Sequence, residues 1–279
     1  VEKLVNPWVE TILVLCVAFT GVCIGLKISR TKGYHWLWGC FVPFIFLLVL
    51  AAVRFVQSLI FIPPFSFFLA GRVRFVILAL AVTIGLTTPL SRLKYAYQKV
   101  VICILMVVVV VYFAVLPFLM PVLIKDRLLS LPTIIDADGV CFQSTDYTCA
   151  PAAAVTALGK LGFSEQEGRL ALLSYSNPIT GTLPTCLENA IQTCYGSRGL
   201  DCHYRHFDSV EQLKDADLTL AIVKSSFLSD HCIVVLGVTD QKVLLADPVS
   251  GEIQMTRSRF EKIWRFTGIA LKAHPPGRS

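Results

Sequence analysis

Acidic residues are nearly absent from the first 125 positions, which carry 2 Asp/Glu against 11 Lys/Arg, a net of +9. Residues 126–279 lack the opposite feature, a basic surface: 14 Lys/Arg face 17 Asp/Glu, a net of −3. The overall charge of +6 therefore belongs to the first part. Because duplex binding needs a basic surface, the second part excludes nucleic acid as its partner. The chain also has no internal repeat, no low-complexity tract and no Walker-type glycine loop, which excludes a repeat array and a P-loop nucleotide site. Its ten cysteines include no Cys-x-x-Cys pair, the usual mark of a structural zinc site. Cys186, Cys194 and Cys202 recur at eight-residue intervals ahead of His203 and His206, but that spacing is a weak metal signal, and no cofactor is expected.

What the chain does have is apolar length. Hydrophobic residues make up 55% of it and its mean hydropathy is +0.67, too apolar for one soluble globule. The excess sits in runs approaching the roughly 20 residues that a membrane span requires. These are residues 8–26, 35–53, 73–90 and 100–124. The first run lacks a cleavage site and reads as retained. The second opens on His35-Trp-Leu-Trp38, aromatics suited to a membrane–water boundary. Residues 55–71 are apolar but hold Pro63-Pro64 at their centre. Proline removes a backbone donor, and a lipid-exposed break is costly. The segment therefore reads as re-entrant or interfacial, with a fifth span as the alternative. With four spans, the loops bearing Lys27, Arg30, Lys32 and Arg92, Lys94, Lys99 would be cytoplasmic. The second part then lies outside the cytoplasm. Arg54, Arg72 and Arg74 dissent, since they fall on the outer side.

In the second part, residues 126–136 read as a linker. Residues 148–161 predict a helix with Pro151 in its first turn. Ser164 and Glu167 have capping-box spacing ahead of Leu170-Ala-Leu-Leu173, a second helix, and 183–195 predict a third. The hydrophobic period then shortens toward two. Strands are expected at 203–207, 218–224, 231–238, 242–246 and 267–272, with short helices at 209–213 and 257–264. Helices first and strands second imply an α+β domain.

One residue in this part stands where chemistry is favoured. Cys149 follows Gln143-Ser-Thr-Asp-Tyr-Thr at the start of the predicted helix. The N-terminus of a helix offers unpaired N–H groups and the positive end of the dipole, both favourable to a nucleophilic thiolate. Gln143, six residues earlier, has an amide able to donate to an oxyanion beside the Cys149 backbone N–H. His231 opens an apolar strand and can serve as the base. His203, His206 and His274 are less well framed competitors. Asp247, in Asp247-Pro248, can accept from the second imidazole nitrogen. Each element has a structural explanation taken singly: a buried thiol, a loop amide, a strand-end histidine, a turn aspartate.

Taken in order, they resemble the bacteriocin-processing cysteine peptidases that cleave after double-glycine leaders. That family places a Gln six residues before a Cys-Gly at a helix start, as at Gln143 and Cys149. It then has a His on an apolar strand, as at His231, and an Asp-Pro about sixteen residues on, as at Asp247-Pro248. Ser258 to Trp264 is similar to its closing helix, and the likeness covers about residues 137–272. It implies a transmembrane α-helical region of about four spans over 1–125, then a papain-like α+β cysteine peptidase domain with an antiparallel sheet over 137–279. By that resemblance Cys149, His231, Asp247 and Gln143 are nucleophile, base, orienting acid and oxyanion donor. Peptide or protein substrate, the lipid bilayer and a separate export transporter are the implied partners, and a bacterial cytoplasmic membrane the implied location. A catalytically silent leader-binding module is the alternative. Ala150 departs from the family, which has Gly after the cysteine; Ala is strained there only at positive φ. The chain shows no nucleotide-binding domain, so it is not expected to be a peptidase-bearing transporter in its own right. A Cys194–Cys202 disulfide is open to it if the domain is external.

Overall fold

The structure, a computed structural model, describes residues 7–69, 71–226 and 229–274. The side chain of Arg54 and residues 275–279 of the expected peptidase domain lie outside the described residues. The chain forms two compact units, Val1–Leu123 and Ile124–Ser279.

The first unit has four long helices: α1 Pro7–Ser29, α2 Trp38–Phe55, α3 Val73–Thr87 and α4 Ala96–Leu123. Each, with its flanking turns, is long and apolar enough to cross a membrane. Within α4 a π turn at Val111–Val115 precedes Pro117. Proline lacks the N–H that would bond the carbonyl four residues back, and the local widening absorbs that break.

Helices α1 and α3 run side by side in parallel. Glu10 meets Arg72 at 2.6 Å near their first turns, and the Ser29 and Ser91 hydroxyls hydrogen-bond at their far ends. Between these, Gly21 faces Thr83 and Gly25 faces Thr87, so that a Cβ on either glycine would fall 2.0 or 1.8 Å from a threonine Oγ1. The offset is 62 residues throughout. Small residues let the backbones approach this closely, and the Thr83 and Thr87 hydroxyls are satisfied by the carbonyls of Ala79 and Thr83. Helix α2 runs the other way, with Gly39 at Thr88 and Pro43 at Gly85. Because α1 and α3 are parallel, α2 alone makes the return between them. Residues 55–71 accordingly make no full-length helix: a 3-10 turn Gln57–Phe61 and a single turn Phe65–Leu69 are separated at Pro63-Pro64. Replacing Gly25 with leucine should overpack α1 against α3 and lower stability by about 1–3 kcal/mol; a thermal melt of the purified chain in detergent measures this, with Val9→Leu, on an exposed position of α1, as the neutral control.

The second unit opens with a short hairpin, β1 Ile134–Ile135 against β2 Cys141–Phe142. Helices α5 Cys149–Lys160, α6 Glu167–Leu173 and α7 Pro184–Tyr195 follow. The strands are β3 Leu200–His206, β4 Leu218–Lys224, β5 Asp230–Val238, β6 Lys242–Asp247, β7 Gly251–Thr256 and β8 Trp264–Ala273, with helix α8 Arg257–Ile263 between the last two. They form one six-stranded sheet in the order β3-β8-β4-β5-β6-β7, and each pair is antiparallel. Alternation along the central strands divides two cores. Leu220, Ile222, Cys232 and Val234 meet the alanine face of α5. Ala221, Val223, Ile233 and Val235 meet Phe207, Phe260 and Trp264 on the other side.

The α+β architecture with an antiparallel sheet matches the expectation, with differences at the edges. Strand β7 was not anticipated; it is an edge strand in which Ile253 and Met255 face the core between exposed Glu252, Gln254 and Thr256. Strands β3 and β8 each begin three residues early: β3 pairs with β8 from Leu200–Ala273 onward, and Trp264 at the start of β8 pairs with Val223 of β4. The Ser164–Glu167 capping box does not form: Gln166 is the N-cap of α6, and the Glu167 carboxylate turns to Ser144 instead. The stretch 126–136, read as linker, packs into the unit. Leu128 is fully buried, and a Cβ on Gly168 of α6 would fall 2.1 Å from its carbonyl oxygen.

Candidate active site

Helix α5 positions the nucleophile candidate. Its residues from Ala150 to Leu158 are all buried, and five of them are alanines, so the helix lies close on the sheet. Gly162 in the left-handed region ends it, with Phe163 N–H returning to the Leu158 carbonyl. Cys149 is the first helical residue and is half-buried. Ala150 has no positive φ; among the described non-glycine residues, only Tyr175 and Phe266 do. The extra methyl therefore carries no backbone strain.

His231 and Asp247 come together from neighbouring strands. Strands β5 and β6 pair with Val234 opposite Ala246, which brings the start of one to the end of the other. His231 Nε2 lies 2.8 Å from Asp247 Oδ1, and Cys149 is near enough to act on the charge of the imidazole. With Nε2 engaged by the aspartate, Nδ1 is the nitrogen left for the thiol. Burial works against the imidazolium, but the hydrogen bond to Asp247, the nearby Cys149 and the charges of both outweigh it, raising the His231 pKa to about 9. Burial likewise opposes the Asp247 carboxylate. Hydrogen bonds from His231 and from the Val249 and Ser250 backbone prevail, and its pKa is lowered. Beside the histidine, Arg265 Nε donates to Asp230 at 2.9 Å and fastens the start of β5 to β8.

Gln143 sits at the head of the loop leading to Cys149. Its backbone N–H donates to the Pro248 carbonyl at 2.9 Å, which ties the loop to the Asp247 turn. One side-chain N–H is placed toward the Thr145 carbonyl at 3.1 Å, and the amide oxygen is buried without a partner. Three further anchors hold the loop. Thr148 Oγ1 accepts from the Thr145 N–H at 3.1 Å. Thr182 Oγ1 donates to the Tyr147 carbonyl at 3.3 Å. Glu167 takes both the N–H and the hydroxyl of Ser144, at 2.9 and 2.7 Å. Sequence reasoning missed this role for Glu167: the residues are 23 apart, and the same glutamate also satisfied a local capping pattern.

The remaining thiols differ in kind. Burial, then the nearby Glu167 charge, pushes Cys141 up to about 12. Burial also raises Cys202 and Cys232. Cys194 and Cys202 are not joined in a disulfide, and among the described residues no His/Cys/Asp/Glu group is arranged to hold a metal ion. The rival histidines stand elsewhere: His274 pairs with Asp201 at 2.7 Å, and His206 lies 3.9 Å from Asp208.

The second unit has the α+β fold with an antiparallel sheet of a cysteine peptidase family. Residues 139–277 match the Peptidase C39 family, and the chain belongs to that family through its second unit. An uncharacterized protein of Methanothermobacter marburgensis is 33% identical over 132 residues, covering 46% of this chain and 83% of that one. A second, from Methanothermobacter thermautotrophicus, is 27% identical over 146 residues, covering 52% and 95%. Among solved structures, the peptidase domain of Streptococcus ComA, described as a bi-functional ABC transporter involved in quorum sensing, aligns at 21% identity and TM-score 0.41, covering 48% of this chain and 96% of its own. A double glycine motif protease from an AMS/PCAT transporter, solved with a leader peptide, aligns at 12% identity and TM-score 0.41, covering 52% and 94%.

The elevated His231 pKa has a consequence for pH. A folded-state value above the free one of about 6.5 contributes stability that is complete below that pH and lost as pH rises through the folded value. The imidazolium needed beside a thiolate is lost over the same interval. Alkylation of Cys149 by iodoacetamide should therefore lose its imidazolium-assisted component as pH rises through about 9. In Asp247→Asn that alkaline limb should move to lower pH, read from the rate–pH profile.

Proposed function

We propose that the chain is a membrane-anchored cysteine peptidase that hydrolyses peptide bonds in substrates arriving at a bilayer, leader peptides of exported peptides among them. One observation carries the reading: the Cys149–His231–Asp247 series, with a 2.8 Å bond at its acidic end, assembled at the head of α5. A module that only bound peptides has no use for a thiol held against a charged imidazole.

In this mechanism the Cys149 thiolate attacks the scissile carbonyl carbon, and the electron pair moves to the carbonyl oxygen. That oxyanion is met by the Cys149 N–H, which as the first of a helix has no partner in the helix, and by the free side-chain N–H of Gln143. His231 gives its Nδ1 proton to the leaving amine as the C–N bond breaks, leaving a thioester. It then takes a proton from water, whose oxygen attacks the thioester and releases the acid and the Cys149 thiolate. Asp247 holds the ring and its charge throughout. No step calls on a metal or cofactor. Double-glycine leaders are the substrate class that the family resemblance implies, and a separate export transporter is the partner that would hand on the product.

Orientation follows from the first unit. The Ser29–Ser91 contact supports a common end for the loops carrying Lys27, Arg30, Lys32 and Arg92, Lys94, Lys99. By the positive-inside rule that end is cytoplasmic. Helix α4 starts there and finishes at the other, which favours an external peptidase domain. Arg72, one of the dissenting charges, is offset by Glu10 at 2.6 Å.

Two measurements test this reading. Cys149→Ala should abolish cleavage of a fluorogenic peptide ending in Gly-Gly; cleavage that persists removes the assignment, and wild-type Cys149 reacting no faster than a free thiol makes the domain a binder. A reporter fused after residue 274 should report a non-cytoplasmic terminus, and a cytoplasmic signal reverses the orientation.

A further inference from the structure

We propose that Glu167 is a positioning residue for the reaction: its buried carboxylate fixes the loop from Gln143 to Thr148, and through Ser144 holds the Gln143 amide where the oxyanion forms. The proposal rests on the reading of Gln143 as an oxyanion donor.

Glu167 has no exposed surface. A carboxylate taken out of water loses far more solvation than an amide or hydroxyl does, and it is retained in a protein only with strong hydrogen bonds or a counter-charge. Among the described residues no cation pairs with it; the nearest arginine in its helix, Arg169, is engaged with Glu165. Both hydrogen bonds to its carboxylate come from one residue. Oε1 accepts the Ser144 N–H at 2.9 Å and Oε2 the Ser144 hydroxyl at 2.7 Å. The hydroxyl also lies 2.8 Å from the Pro132 carbonyl, but a carboxylate is the stronger acceptor for its single proton. The glutamate is anchored in turn by its own N–H, which donates to Thr133 Oγ1 at 3.1 Å.

An apolar side chain would fill this space without the desolvation penalty. What a carboxylate adds is direction: two charge-assisted bonds seize the backbone and the side chain of one residue. That residue adjoins Gln143, whose own N–H is bound to Pro248 beside Asp247. Gln143 is thus clamped between the acid end of the catalytic series and a buried charge on α6. Cys149 and His231 are held independently, by the start of α5 and by β5. Displacement of a catalytic donor by about 1 Å costs on the order of 100-fold in rate. The clamp therefore bears on oxyanion stabilisation and leaves the thiolate–imidazolium pair alone.

The test uses two reactions of the full chain in detergent. Peptide cleavage needs the oxyanion site; alkylation of Cys149 by iodoacetamide forms no oxyanion and reports the thiolate–imidazolium pair alone. In Glu167→Gln and Ser144→Ala, kcat on the Gly-Gly fluorogenic peptide should fall about 10- to 100-fold, with KM and the alkylation rate–pH profile close to wild type. Glu167→Leu should lose more than Glu167→Gln, which keeps one acceptor, and the Glu167→Gln/Ser144→Ala double variant should lose no more than its worse parent. Cleavage and alkylation falling together, or neither changing, would overturn the proposal by making Glu167 a folding residue. Gln143→Ala separates the two levels of the argument. If it leaves kcat intact, the oxyanion reading has failed; if it lowers kcat while the Glu167 and Ser144 variants do not, the positioning role alone is wrong.

Discussion

Close contact between α5 and the sheet is the constraint on which the candidate site depends. Ala152, Ala153, Ala154 and Ala157 are fully buried, and their small side chains let the helix lie on Leu220, Cys232 and Val234. The approach fixes where the helix begins relative to the ends of β5 and β6. Cys149, His231 and Asp247 meet there because one starts the helix, one opens a strand and one closes the next. The Thr156 hydroxyl adds a lateral tie, accepting the Cys141 N–H at 2.8 Å and so joining the hairpin before the loop to the helix after it. A bulkier residue on the inner face of α5 would displace Cys149 before it disturbed His231.

The site has a mobile-looking composition yet a fixed geometry. Ser, Thr, Asp and Tyr fill the segment 144–148, residues that ordinarily favour turns and solvent. Here Thr148 closes the turn internally, Glu167 grips it from α6, Thr182 from the following loop and Pro248 from the catalytic turn. Such cross-bracing gives a loop the rigidity that a strand provides for His231, the rigidity that the proposed oxyanion donor Gln143 would need.

The first unit obeys a different constraint. Its helices are long and apolar enough to cross a membrane, and for such helices lipid would offer little hydrophobic advantage to association, leaving close backbone approach to supply the contact. The Gly21–Thr83 and Gly25–Thr87 pairs do so, and their register makes α1 and α3 parallel. The parallel packing limits residues 55–71 to short turns between α2 and α3. Hydropathy left that segment open between a partial entry and a full span, because composition measures transfer from water and is indifferent to direction.

Much of this protein was legible before any coordinates. Apolar run length marked four helices. The Pro151 and alanine pattern marked α5, and alternation marked β4, β5 and β6 nearly to the residue. The order Gln143, Cys149, His231, Asp247 pointed to the family, to which residues 139–277 match. These are short-range signals, carried by periodicity and by residue type at an element's end. Strand β7 was missed because Ile253 and Met255 are its only large apolar residues, a faint period of two. Glu167 was assigned to its own helix because a local cap and a bond across 23 residues look alike in one dimension. The chain by itself determined most of the elements that form and which groups are candidates for chemistry. Tertiary packing decided which of them meet: that Nε2 of His231 faces Asp247, that α1 lies along α3, and that a buried carboxylate reaches Ser144. Those pairings are set by distance and exclusion in three dimensions, which no spacing along the chain encodes.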